Sequence, residues 1–129
     1  MTRDWFKTLT GMMWLALPLS WMEYRHNWDQ LPARMAVHFD ANWRPNGYTS
    51  REGALMLGLG IMAFMLVVFT VGALVSHALK PAGTAWLLLA VFYVSVGFTW
   101  YGNHMIIEFN RKAQAAHSEF HALTLVRET

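Results

Sequence analysis

Apolar positions in this chain fall into three long runs, separated by two polar interruptions of very different length. The first run extends roughly from Trp5 to Met22. Its uninterrupted core, Thr8 to Met22, is short against the about 20 residues that a membrane span needs, and Trp5 and Tyr24 sit where interfacial aromatics would lengthen it. Pro18 lies inside the run and predicts a kink, which is tolerated where neighbouring helices or Thr and Ser hydroxyls cover the freed carbonyl. The second run, Gly53 to Ala78, contains no Asp, Glu, Lys or Arg, and only His77 is ionisable. As a helix it would measure roughly 39 Å, so it must tilt in a bilayer or overrun it. Ala54/Gly58 and Gly72/Ser76 repeat small residues four apart, which predicts close helix approach, inside the bundle or against another subunit. Lys80-Pro81-Ala82-Gly83 predicts a tight turn, and a third apolar helix runs antiparallel from Thr84 to Ile107, with Trp86 near one end and Trp100 and Tyr101 near the other. Beyond Glu108 the pattern changes. Phe109, Ala113, Ala116, Phe120 and Leu123 recur at three- and four-residue spacings, while Arg111, Lys112 and Glu119 fall elsewhere, which predicts an amphipathic tail helix over 108–127. The expected fold is therefore a single-domain, all-α membrane protein. It has spans at 5–24, 53–78 and 84–107, a structured polar loop at 25–52, and the tail.

Composition supports this division. The 129 residues are 55% hydrophobic and 14% charged. The charges cluster at 1–7, 23–52, 80 and 108–129 and leave the stretches between these clusters bare, whereas a soluble domain would scatter them along each helix. A net charge of +2 without a dense Lys/Arg run argues against nucleic acid as a partner. The absence of cysteine excludes disulfides, thiolate metal sites, Cys-ligated iron–sulfur clusters and covalently attached haem. No small-x-small cleavage pattern follows the first run, where Trp21, Met22, Glu23 and Tyr24 come next, so the run reads as a retained anchor. Three spans put Arg3, Lys7 and Lys80 on one side of the membrane. Arg25, Arg34, Arg44, Arg51, Arg111, Lys112 and Arg127 fall on the other. That balance favours the loop and tail in the cytoplasm.

The loop carries its own pattern. Met35, Val37 and Phe39 alternate with Ala36, His38 and Asp40, as in a short extended segment. Pro45-Asn46-Gly47 is a turn signature, and Ser50 is placed to cap the second span. Trp28, Leu31, Phe39, Trp43 and Tyr48 supply enough apolar area for a folded cap on the membrane surface.

Leu31-Pro32, His38-Phe39-Asp40, Pro45-Asn46-Gly47-Tyr48 and Ser50-Arg51 together resemble the motif L-P-x-x-I-P-x-H-F-N-x-x-G-x-P-D-G-[WY]-x-S-K. That motif marks a domain of unknown function in SdpI-like bacterial membrane proteins, where it also lies between the first two spans. Ala36 replaces the second Pro of the motif, and Trp43 replaces a Gly that would serve a tight backbone turn. The resemblance implies a multi-pass protein of the bacterial cytoplasmic membrane. It also implies a role in toxin immunity or signal reception and a motif loop outside the cell, opposite to the charge balance. SdpI-like chains are generally longer, with further spans after the motif.

Histidine is the chemical oddity. His26, His38, His104, His117 and His121 fall on the loop side with Glu23, Asp29, Asp40, Glu52 and Glu108, a set of types able to hold zinc. The plainer reading is interfacial histidines bonded to backbone, water or lipid headgroups. His117 and His121 share a helix face, but His-Ser-Glu-Phe-His is not the metalloprotease H-E-x-x-H. For His38 a hydrogen bond that holds the loop together is the favoured role. His77 and His104 lie towards opposite membrane faces and cannot pair on one haem, so each is at most a single axial ligand to a haem or chlorin. His104 and Glu108, four apart, can hydrogen-bond along the helix. No phosphate-binding glycine loop, nucleophile elbow or paired mid-membrane carboxylate is present, and no enzyme is expected. Two functions remain: a non-catalytic accessory subunit of a larger membrane complex, with other subunits and lipids as partners, or a signalling or immunity protein whose loop 25–52 binds a peptide or protein.

Overall fold

Pro18 acts one turn upstream of itself. It cannot donate to the Trp14 carbonyl, and its ring crowds that group. The first apolar run accordingly forms α1 (Thr2–Met12), a tighter 3-10 turn at Met13–Leu15, and α2 (Ala16–His26) rather than one evenly kinked helix. This computed structural model describes residues 2–128 and the side chains from Trp5 onward; Arg3, one of the counted charges, lies outside the described side chains.

After α2 the chain makes a short 3-10 turn at Trp28–Gln30 and then an antiparallel hairpin, β1 (Arg34–Phe39) and β2 (Pro45–Ser50). The 25–52 segment is thus folded, and it is a β-structure inside a fold expected to be all-α. The extended pattern at 35–39 does form a strand. The turn lies elsewhere than expected. Pro45-Asn46-Gly47 belongs to β2, and the chain reverses at Asp40–Arg44. Asp40 drives this reversal: its carboxylate accepts from the Asn42 and Arg44 amides at 2.8 and 2.9 Å, and its backbone N–H donates to the Arg44 carbonyl at 2.9 Å. Trp43 takes φ 60°, the left-handed conformation that glycine adopts most readily. Gly47 is needed for room rather than for φ. A Cβ there would sit 2.8 Å from the His38 Cβ, where the strands cross at an irregular register.

Ser50 caps α3 (Arg51–Leu79) by accepting from the Gly53 amide at 3.0 Å. The Lys80-Pro81 turn then reverses the chain into α4 (Ala82–Arg127), a single helix of 46 residues. The expected boundary at Glu108 does not exist. Amphipathicity changes there, but no Gly or Pro lies between Asn103 and Arg127 to break the backbone. Phe69 and Phe92 stack at 4.5 Å between α3 and α4, and Gly72 leaves the space that the Phe92 ring fills. α1 and α2 run back along α3. Phe6 stacks on His77 at one end, the Trp14 indole N–H donates to Thr70 Oγ1 at 2.8 Å midway, and Tyr24 reaches Gly58 at the other.

Two cores result. One, built on Phe6, Met13, Met62, Leu66, Leu89 and Val96, lies among the helices. The other, built on Tyr24, Leu31, Met35, Ala54 and Ile107, joins the hairpin to the helix ends. Two helices, α3 and α4, are long and apolar enough to cross a membrane, with mean hydropathy of 2.5 and 1.7 over their best windows. Only 17% of each window is buried, unlike the core helix of a soluble protein, and Met56, Phe64, Leu87 and Phe98 face outward. α1 and α2, at 11 residues each, are too short to cross singly.

Candidate functional site

The hairpin is held against the helix ends by three clamps, in which the motif residues Leu31, Phe39 and Arg51 take part. Arg51 closes the first. Its backbone N–H donates to the Ala33 carbonyl at 3.1 Å, and its Nη1 donates to the Trp28 and Leu31 carbonyls at 3.1 and 3.4 Å. The guanidinium lies 5.0 Å from the Trp28 ring centre, a cation–π distance. The motif's last residue therefore ties the segment before β1 to the start of α3, with Leu31 buried beneath and Pro32 half-buried beside it. A planar fork meets two carbonyls and a ring at once, a geometry a lysine ammonium reproduces poorly.

Asn110 forms the second clamp. From α4 its Oδ1 accepts from the Ala36 N–H at 2.8 Å, and its Nδ2 donates to the Ala36 carbonyl at 2.8 Å. A side-chain amide thus stands in for a neighbouring strand on the outer edge of β1. Both residues are buried, so each bond satisfies a backbone group that water does not reach. The third clamp is aromatic: Phe39 meets Phe109 edge-on at 4.9 Å and Trp43 at 6.3 Å. Within the hairpin, His38 Nδ1–H donates to Asn46 Oδ1, and the Arg34 guanidinium lies 5.2 Å from the Tyr48 ring centre.

Below the hairpin lies a polar junction between the helices. Gly58 lets Tyr24 of α2 and Asn103 of α4 approach α3: the Tyr24 hydroxyl donates to Asn103 Oδ1 at 3.4 Å, and Asn103 Nδ2 donates to the Gly58 carbonyl at 3.4 Å. The small-residue face of α3 is thus used inside the bundle at Gly58 and Gly72. His104 pairs with Glu23 across α2 and α4, not with Glu108. Glu108 instead takes two hydrogen bonds from Arg111, which hold its carboxyl below the ordinary carboxylate range.

The other histidines are dispersed. His77 is stacked on Phe6, His26 is exposed at the end of α2, and His117 and His121 are exposed one turn apart on α4. Among the described residues no three His, Asp or Glu side chains come together as a metal-holding group: His26 lies on α2, His38 on β1, and His104, His117 and His121 are strung along α4. Both candidate axial ligands, His77 and His104, already have ring or carboxylate partners. Sequence reasoning missed Asn110, Tyr24 and the Glu23–His104 pair. The one available signal was an isolated amide, Asn110, on the apolar side of a helix beside Ile106 and Ile107.

One concave surface adjoins the hairpin tip. It is an apolar hollow of about 270 Å³ lined by Phe39, Trp43, Tyr101, Gly102, Met105, Ile106 and Phe109. On another side of α4, Asp29, Gln30, Arg111, Lys112, Gln114 and Ser118 line a wetter groove. The arrangement is that of a cap which fixes one end of the helices and presents an aromatic rim. No curated protein and no solved structure shows detectable similarity to the chain. Residues 15–63, which run from the 3-10 turn through the hairpin into α3, match a family described as a domain of unknown function, DUF1648.

Proposed function

We propose that the chain is a three-span protein of the bacterial inner membrane and acts as a non-catalytic packing subunit of a larger membrane assembly. The third span is argued from depth. α1 and α2 lie along α3 from His77 to Gly58, so wherever α3 crosses the bilayer the broken first helix crosses beside it. Kinship with SdpI-like proteins belongs to the same proposal and rests on the motif residues between Leu31 and Arg51.

The observation that carries the subunit role is the tail. α4 continues roughly 30 Å past Ile107. There Phe120, Leu123 and Val126, spaced three apart along one side of the helix, are 68–74% exposed. A helix projecting beyond the lipid with bulky apolar side chains uncovered has a face to bury, and contiguous patches of that kind mark interaction sites. Gentle detergent extraction from the native membrane followed by native sizing tests this. The full chain is expected to migrate in a complex well above its own 14.8 kDa plus detergent. A chain ended after Lys112 is expected to stay membrane-bound but to leave that complex. Migration of the full chain as a free protomer contradicts the proposal.

A further inference from the structure

The wetter groove on α4 has two walls of opposite charge. The 3-10 turn Trp28–Gln30 brings Asp29 and Gln30 to it, and α4 brings Arg111 and Lys112. Gln114 and Ser118 complete the polar lining of a space of about 310 Å³. Both walls are fixed. The Arg25 and Arg51 guanidiniums lie 5.7 and 5.0 Å from ring centres of Trp28, and the Trp28 carbonyl accepts from Arg51 at 3.1 Å. On the other wall, Glu108 takes the Nε and Nη2 hydrogens of Arg111, which orients the guanidinium and leaves Nη1 without a partner among the described residues. Asp29 and Lys112 are exposed, and neither side chain forms an ion pair or hydrogen bond among the described residues. Opposite charges that line one groove without meeting are complementary to a ligand that carries both.

We infer that this groove binds the headgroup of phosphatidylethanolamine, with its ammonium at Asp29 and its phosphate at Lys112 and Arg111 Nη1. The inference rests on the proposal that the helices cross a bilayer, with the end of the apolar run at Ile107 marking the edge of the hydrocarbon. Arg111 and Lys112 come four and five residues later, roughly 6–8 Å along the helix axis. The headgroup layer occupies about 5–8 Å on each face of a bilayer, so the groove lies at its depth. Chemistry then selects among headgroups. A primary ammonium has three N–H donors for the Asp29 carboxylate and the Gln30 side-chain carbonyl, in charge-assisted bonds. The trimethylammonium of phosphatidylcholine has none, and phosphatidylglycerol brings no cation to Asp29. The planar guanidinium of Arg111 suits a phosphate.

Native mass spectrometry of the full chain provides the test. The chain is released from vesicles of equal phosphatidylethanolamine, phosphatidylglycerol and phosphatidylcholine carrying the same acyl chains. The wild-type chain is expected to retain one phosphatidylethanolamine about fivefold in preference to either other lipid, the size of one interfacial charge pair. Asp29→Asn is expected to bring phosphatidylethanolamine down to the level of phosphatidylcholine. Asp29→Lys is expected to reverse the preference towards phosphatidylglycerol, a gain that misfolding would not produce. Lys112→Gln is expected to lower phosphatidylethanolamine retention by a similar factor to Asp29→Asn. Equal retention of phosphatidylethanolamine and phosphatidylcholine by the wild-type chain, or an undiminished preference in Asp29→Asn, overturns the inference and leaves the three-span reading standing. Displacement of the lipid by an equal concentration of soluble glycerophosphoethanolamine assigns the groove to a free zwitterion and overturns the lipid. Release of the wild-type chain from vesicles by alkaline carbonate overturns both the inference and the three-span reading.

Discussion

Replacing Asn110 by Ala is expected to detach the hairpin from α4 while the three helices stay together. The side chain makes the two bonds to Ala36 and a third, through Nδ2, to the Ile106 carbonyl, each at 2.8 Å. The third belongs to the helix's own turn and is dispensable. The first two have no substitute, because Ala36 lies on the outer edge of β1 and is 2% exposed. Truncation orphans one buried donor and one buried acceptor, at about 1–3 kcal/mol each, so a loss of roughly 2–5 kcal/mol falls on the hairpin. Amide hydrogen exchange in detergent reads this locally. Residues 34–50 should lose protection while the middles of α3 and α4 keep theirs. Asn110→Asp should fall between, because its carboxylate still accepts from Ala36 N–H but cannot donate to Ala36 O. Unchanged exchange at 34–50 in the Ala variant would contradict the clamp.

The second large effect concerns a single methyl group. A Cβ at position 58 would stand 2.3 Å from Asn103 Oδ1 and 3.0 Å from the Tyr24 hydroxyl. Gly58→Ala must therefore push α2 and α4 off α3 or break the Tyr24–Asn103–Gly58 chain. Overpacking of this kind costs about 1–3 kcal/mol, against which Ala returns up to about 1 kcal/mol of helix propensity. Gly60 supplies the control, since a Cβ there meets nothing within 4 Å. Thermal melting in detergent should show Gly58→Ala below wild type and Gly60→Ala at or above it. Equal melting of the two variants would mean that the junction is not packed as described.

These positions also show what could be read from the chain before its structure. Hydrophobic run length located the helices, because burial in lipid or against a neighbour acts over 20 residues at a time. Alternation at 35–39 located β1, and Ser50 announced the start of α3. The turn was misplaced because Pro45-Asn46-Gly47 carries the stronger local signature. The actual reversal depends on the Asp40 carboxylate gathering two amides and on Trp43 accepting a strained φ. The tail was set apart because its polarity changes at Glu108, whereas backbone continuity depends on breakers, and none is there. Two of the pairings at the helix ends join residues 74 and 81 apart in sequence, Asn110 to Ala36 and His104 to Glu23. Nothing in local periodicity specifies which amide finds which strand. The histidines gathered on one side of the membrane in sequence, but sidedness does not imply contact, and the fold disperses them.

The proposed three-span architecture stands or falls on the first helix, which is broken at Met13–Leu15 and packs along α3. The chain contains no cysteine, so single cysteines can be placed one at a time and tested in intact cells with a membrane-impermeant thiol reagent. Lys7→Cys is expected to react from the same side as Gly83→Cys, and Asn42→Cys and His121→Cys from the opposite side. If Lys7→Cys reacts from the side of Asn42→Cys, the first helix does not cross, and the three-span account is wrong.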